Sequence, residues 1–269
     1  MSYLLFDLLF LGLPVALLLR RGGRPPARLV GAAAALAVVA LAWTGPWDEY
    51  LVRTGVWSYD PDRVLFRLGS VPAEEYLFVV LLVVLVAAWG TRLGRLLPPG
   101  TDASSSGGRV IGAAGWLAVG LTGAGLLSIG GTWRYLALLL VWVAPPLALQ
   151  RAVAGDLLRG RRLDRALIAL PVALWLCAAD RLAIADGIWL IAPESSTGVM
   201  LLGLPVEEAL FFLLTCVLVT DGLVLATDDR ALGRARALLT RRPRSEPAPS
   251  PASAPTPSRS PSLPGRTPA

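Results

Sequence analysis

The chain has 269 residues, 55% apolar and only 16% charged, with a net charge of +6. A soluble domain of this length carries far more charged surface. Every basic residue is Arg, with no Lys and no His, which excludes a retinal Schiff base, a Ser-His-Asp triad and His-ligated zinc or haem. Proton chemistry therefore falls to Asp, Glu, Tyr, Cys or water. The Arg residues sit between apolar runs and in the C-terminal tail, a topology signal rather than the mark of a nucleic-acid partner, and none is expected.

The chain opens Met-Ser-Tyr-Leu-Leu-Phe-Asp, without a basic n-region or a clear cleavage site, so its first apolar run reads as a span rather than a signal peptide. Runs near the ~20 residues that cross a bilayer core fall at 2–19, 28–46, 72–90, 110–130, 133–150, 166–183 and 203–226. Residues 98–109 read as a flexible polar linker. From Pro243 onward the chain is Pro, Ser, Ala and Arg with almost no large apolar residue, and it is predicted disordered. Cys177 and Cys216 lie in apolar runs without CxxC spacing and read as small buried hydrophobes. Gly120-x-x-Gly123-x-Gly125 has no preceding strand and reads as helix packing, not a nucleotide loop. No Walker loop is present, nor metal-ligand spacing of the DxxxD kind that holds prenyl diphosphates through magnesium.

The loops after the first, third and fifth spans hold 12 Arg, and the opposite side holds 5: Arg53, Arg63, Arg67, Arg134 and Arg181. The positive-inside rule then predicts a multi-pass protein of the cell membrane, N-terminus outside and C-terminus cytoplasmic.

An internal repeat runs through the apolar chain. At an offset of 132, Asp48, Gly55, Trp57 and Pro61 meet Asp180, Gly187, Trp189 and Pro193; one inserted residue later, VPAEEYLF (71–78) meets LPVEEALF (204–211). Upstream, Tyr3-Leu4 and Pro14 meet Tyr135-Leu136 and Pro146. The ordered set D-x6-G-x-W, then P-x-E-E-x-x-F, predicts a duplicated three-span unit. An odd number of spans inverts the second unit, and the fourth span restores it. The expected fold is an all-α integral membrane protein: seven transmembrane helices as two parallel three-helix repeats plus a linker helix. It divides into a first repeat (1–97), a linker and extra helix (98–131), a second repeat (132–226) and a disordered basic Pro/Ser-rich cytoplasmic tail (227–269).

Pro72 and Pro205 suit the first helical position, which puts Glu74, Glu75, Glu207 and Glu208 in the first turns of the third and seventh spans. Carboxylates at membrane depth are costly and mark function. Two adjacent carboxyls resist double ionisation, which suits each pair to hold the proton a general acid needs. Asp48 and Asp180 close the second and sixth spans and are expected to orient or recharge that acid, or to serve as it. Asp7 and Asp221 lie inside apolar runs with no partner legible in sequence. Trp43, Trp47, Tyr50, Trp57, Tyr59, Tyr76 and Trp189 cluster around the motifs, as an interfacial belt or as a wall that stabilises positive charge; Trp47, Tyr50, Trp57, Tyr59 and Trp189 are the expected substrate contacts.

The paired Pro-x-Glu-Glu motifs, each following D-x6-G-x-W in a three-span unit, resemble the membrane-integral lycopene cyclase family. This chain looks like a fused form of that family over residues 1–226. Trp47, Asp48 and Tyr50 become Ala179, Asp180 and Leu182 in the second repeat, so the halves need not be equivalent. The resemblance implies acid-catalysed, non-redox closure of the linear ends of lycopene, giving β rings and hence γ- or β-carotene. It implies no cofactor, a lipophilic carotenoid substrate within the bilayer, lipid contact, and room for contact with other carotenoid-pathway enzymes. A cyclase of longer carotenoids or an end-group hydratase fits the same residues, and a proton-coupled transporter is the rival from another class.

Overall fold

The structure, a computed structural model, describes residues 1–22, 25–96 and 106–240. Seven helices are long and apolar enough to cross a membrane: α1 (Tyr3–Arg21), α2 (Ala27–Arg53), α3 (Ala73–Arg92), α4 (Ser106–Ile129), α5 (Arg134–Gly160), α6 (Arg162–Asp186) and α7 (Val206–Ala226). The protein is thus an all-α, multi-pass membrane protein. An amphipathic helix, α8 (Asp229–Thr240), follows α7.

The helices differ from the sequence expectation chiefly at their ends. α2 runs on to Arg53 and takes Trp47, Asp48 and Tyr50 into its last two turns, carrying Pro46 in its interior. Asp48 and Asp180 therefore sit inside α2 and α6 rather than at their ends. The apolar stripe that drives helix burial does not mark where hydrogen bonding stops. α5 runs past the expected end at 150 to Gly160, with a kink at Ala154 (φ −153, ψ 38). Of the expected linker, 106–109 already belong to α4, and 98–105 lie outside the described residues. The segment expected to be a disordered tail from residue 227 begins with α8; the part from Pro243 lies outside the described residues.

Burial ranks the helices. Over its apolar window α3 is 56% buried, whereas α4 is 6% buried. α3 is thus central, and α4 sits at the rim, packed mainly on α5. Gly123 permits that approach: a Cβ there would lie 2.8 Å from Leu140 Cβ and 2.9 Å from the Ala137 carbonyl.

The two ends of the bundle carry different chemistry. At the Arg-rich end, buried Asp221 pairs with Arg165 (Nη2–Oδ2 2.8 Å) and Arg151 (2.9 Å), Asp156 pairs with Arg234 (2.7 Å), and Arg28 pairs with Asp229 (2.6 Å). At the other end the α-amino group and Arg63 meet Asp186. There the loops after α2 and α6 meet through two short antiparallel strands, β1 (Trp57–Tyr59) and β4 (Trp189–Ile191), with Tyr59 opposite Trp189.

Candidate active site

Each repeat motif builds one half of a buried site. Gly55 (φ +73) and Gly187 (φ +71) end α2 and α6 in the left-handed conformation, which costs a glycine little. Two residues later Trp57 and Trp189 enter the paired strands. Short hairpins follow, β2 (Arg67–Leu68) with β3 (Val71–Pro72) and β5 (Met200–Leu201) with β6 (Leu204–Pro205). Pro72 and Pro205 are the N-caps of α3 and α7 rather than their first helical residues as expected, because each still belongs to its hairpin. The Glu pairs occupy the first turns, as expected.

Adjacent helical residues point about 100° apart, and this parts each pair. Glu74 turns to its own loop and accepts the Leu65 N–H at 2.7 Å. Glu207 does the same, accepting the Thr197 N–H (2.7 Å) and the hydroxyls of Thr197 (2.6 Å) and Ser196 (3.2 Å). Glu75 and Glu208 turn inward. Glu75 Oε2 accepts two phenol hydroxyls, from Tyr3 (2.7 Å) and Tyr59 (2.8 Å). Glu208 Oε1 accepts the Tyr135 hydroxyl at 2.7 Å. Burial first, then the charge of Glu75, pushes the Tyr59 hydroxyl well above its ordinary range, so it stays a donor.

Glu75, Glu208 and Asp180 all line one cavity of about 30 Å³, together with Tyr3, Trp57, Tyr59, Trp189 and three Phe residues. Asp180 and Glu208 face the same cavity; Asp180 Oδ1 accepts the Trp189 indole N–H at 2.8 Å, and its Oδ2 has no hydrogen-bond partner among the described residues. Asp48 is buried near Glu75 but is not among the lining residues, and its Oδ1 has no hydrogen-bond partner among the described residues. The twin bond, from Trp57 to Asp48, is not made: the Trp57 indole nitrogen also has no hydrogen-bond partner among the described residues. Asp7, fully buried, has neither oxygen hydrogen-bonded among the described residues and lies in electrostatic range of Glu75 and Glu74.

Of the expected substrate contacts, Trp57, Tyr59 and Trp189 line the cavity. Trp47 stands one layer behind, stacked on Trp142 at 4.7 Å and edge-on to Trp57 at 5.3 Å. Tyr50 is half exposed on α2 and is not brought to the site, nor does Tyr76 line the cavity. Sequence reasoning passed over Tyr3, Tyr135, Phe78, Phe211 and Phe212. Tyr3 and Tyr135 did carry a signal, since they match across the repeat, but nothing in sequence shows that they reach the Glu residues.

The arrangement gathers three buried carboxyls on one cavity, one of them held by two phenols, among aromatic side chains. A family model described as lycopene cyclase matches residues 1–91 and 132–221. The chain belongs to the lycopene cyclase family. Residues 92–131, which include α4, fall between the two matched stretches. The chain is 44% identical over 229 residues to a Halobacterium salinarum protein named lycopene beta-cyclase, covering 83% of this chain and 95% of that one. It is 32% identical over 225 residues to an Arthroderma gypseum protein named bifunctional lycopene cyclase/phytoene synthase, covering 76% of this chain and 38% of that one. A Phycomyces blakesleeanus protein of the same name is 35% identical over 189 residues, 66% of this chain and 31% of that one. No solved structure matches this lycopene cyclase family member.

Proposed function

We propose that this chain is a membrane enzyme that closes the linear ends of lycopene into β rings, giving γ- or β-carotene. The observation that carries the reading is the convergence of Glu75, Glu208 and Asp180 on one aromatic-lined cavity, in a chain with 44% identity to a protein named lycopene beta-cyclase.

The reaction needs an acid, a base and a cation-tolerant wall. Asp180 and Glu208, buried on one small cavity, share a proton and act as the acid, since two like charges in one dry cavity resist joint ionisation. That proton adds to the terminal double bond of the substrate and leaves a tertiary cation. The π pair of the next double bond along the chain forms the six-membered ring bond and leaves the cation on a ring carbon. Glu75, whose charged form is favoured by two phenol donors, takes the proton from the ring carbon beside the cation, and the ring double bond forms. Trp57, Trp189 and Tyr59 present aromatic faces to the passing charge. Atoms and electrons balance within the substrate, so the reaction is an isomerisation and calls for no redox cofactor. The proton returns from Glu75 to the Asp180–Glu208 pair through a cavity large enough for one water-sized group. Glu74 and Glu207 hold the loops in place, and Asp48 positions the Glu75 half.

The two halves are read as parallel repeats. Matching bonds from Tyr3 to Glu75 and from Tyr135 to Glu208 support this, as does the pairing of β1 with β4. The excess of Arg at the far end supports a cytoplasmic C-terminus, with the carboxyl site near the outer face. The substrate is a carotenoid held in the bilayer among lipids. The bifunctional names of the fungal relatives support contact with other carotenoid-pathway enzymes.

The test is expression in a lycopene-accumulating bacterium followed by pigment chromatography. Cyclic carotene is the expected product. A hydroxylated acyclic product marks a hydratase, and unchanged lycopene at normal membrane levels of the protein overturns the reading.

A further inference from the structure

A second cavity, of about 190 Å³, lies between α2, α3, α5 and α7. It shares Glu75, Phe78 and Phe211 with the carboxyl cavity, so the two are neighbours, with Phe78 and Phe211 standing as the partition between them. Its wall is otherwise largely apolar, with Val39, Ala40, Trp43 and Leu149 at the side where α2 and α5 part. Val39 is 60% exposed and Leu149 63% exposed, so the mouth opens on the lipid-facing surface. From Glu75 to Val83 the groove follows about 12 Å of α3 at 1.5 Å per residue.

The repeat places a twin cleft, of about 330 Å³, between α1, α3 and α6. Pro14, Leu17, Val172 and Trp175 stand there where Pro146, Leu149, Ala40 and Trp43 stand in the first groove. Matching indole bonds bridge the two crevices: Trp43 donates to the Trp142 carbonyl (3.3 Å) and Trp175 to the Phe10 carbonyl (2.7 Å). The twin differs at its inner end. No carboxyl is among its described lining residues. A chain of rings stands between it and the carboxyl cavity: Trp175 to Phe10 at 6.2 Å, Phe10 to Phe6 at 4.9 Å and Phe6 to Trp189 at 5.0 Å.

We propose that the groove between α2, α3, α5 and α7 is the one substrate entrance, and that its occupant is the acyclic end of the polyene, which passes Glu75 and points at Asp180 and Glu208. The proposal rests on the cyclase reading. It adds that both ends of a substrate are closed in turn through one groove, the singly closed product leaving and re-entering by its other end. The order of groups along the path suits the chemistry. The acid must meet the tip of the chain, where the first proton adds, and the base must meet a carbon nearer the chain, where the last proton leaves.

Ala40 offers the test, because the repeat has Val172 at the matching place and a larger side chain there is compatible with the helix. Ala40→Val, Ala40→Leu and Ala40→Phe are compared with Leu17→Phe, at the mouth of the twin cleft, using purified protein in liposomes loaded with lycopene. Initial rates should fall stepwise with side-chain volume, at least tenfold for Ala40→Phe, while Leu17→Phe stays within about twofold of wild type. Lycopene retained through gel filtration is measured alongside in a Glu75→Gln background. Adding Ala40→Phe should abolish retention and adding Leu17→Phe should not. Wild-type rates across the Ala40 series, as expected if the groove holds only a lipid acyl chain, overturn the proposal. So does a loss confined to Leu17→Phe. Should Ala40→Phe fail to reach the membrane, the Val and Leu variants decide by the same trend. Failure of the wild-type protein to cyclise lycopene is a separate result, and it removes the cyclase reading itself.

Discussion

Replacing Glu75 by Gln, with Glu74→Gln as its neighbour control, separates proton chemistry from architecture. Gln has nearly the volume of Glu, and its carbonyl oxygen can accept the hydroxyls of Tyr3 and Tyr59, now 2.7 and 2.8 Å from Glu75. What it cannot do is take or give the proton. Loss of a positioned acid or base costs about 10²–10⁴ in rate, or about 3–5 kcal/mol of barrier at about 1.36 kcal/mol per decade. Glu74 faces its loop, where its one hydrogen bond among the described residues is from the Leu65 N–H. Gln can accept that bond too, so Glu74→Gln exchanges a charge-assisted bond for a neutral one, about 1 kcal/mol of stability, and should keep its rate within about threefold. Both variants are assayed as initial rates of ring formation from lycopene in liposomes, normalised to folded protein. Accumulated linear substrate with Glu75→Gln, beside near-normal turnover with Glu74→Gln, is the expected pattern. Equal losses in the two variants would sink the division of labour within each pair. A wild-type rate for Glu75→Gln removes that carboxyl from the mechanism.

Tyr3→Phe and Tyr59→Phe each delete one hydroxyl from Glu75; at about 1.5–3 kcal/mol for a bond to a charged group, each should slow turnover about 10- to 100-fold, read as kcat at saturating lycopene, and an unchanged kcat refutes the role. Asp221→Asn leaves Arg151 and Arg165 without their buried counter-charge, so the purified protein should lose about 3–5 kcal/mol of stability, seen as a lower Tm in detergent; an unchanged Tm shows that the cluster is not holding the Arg-rich end. Reporter domains inserted near residues 60 and 195 should both report the extracytoplasmic side, since their loops meet through β1 and β4; opposite sides for the two refute the parallel repeat, and a shared cytoplasmic side reverses the orientation. Truncation after residue 242 should leave ring formation intact at normal membrane levels, and a lost activity would give the Pro-rich segment a role.

Much of the architecture was legible in the sequence because a bilayer asks little more than length and apolarity of a span. Seven runs were visible, and their number matches the helices found. The matching motifs take matching backbone: Gly55 and Gly187 both close a helix in the left-handed region, and Glu75 and Glu208 both lie in the first turn of one. Composition alone left the acidic side chains and Tyr as the main candidates for proton transfer. The helix ends were not legible, since hydropathy fades before hydrogen bonding does; α2 therefore swallowed Trp47, Asp48 and Tyr50, and α8 arose in what read as tail.

The assignment of each carboxyl was decided by tertiary structure. Glu74 and Glu75 are indistinguishable in sequence, and the roughly 100° between successive helical residues sends one to its loop and the other to the cavity. That Tyr3 reaches Glu75 across 72 positions of chain, and that Asp180 and Glu208 line one cavity while Asp48 is not among its lining residues, depends on how five helices pack at one end of the bundle. Sequence periodicity records which face of a helix is buried. Which residue of another helix waits there is set by side-chain packing between segments far apart in the chain.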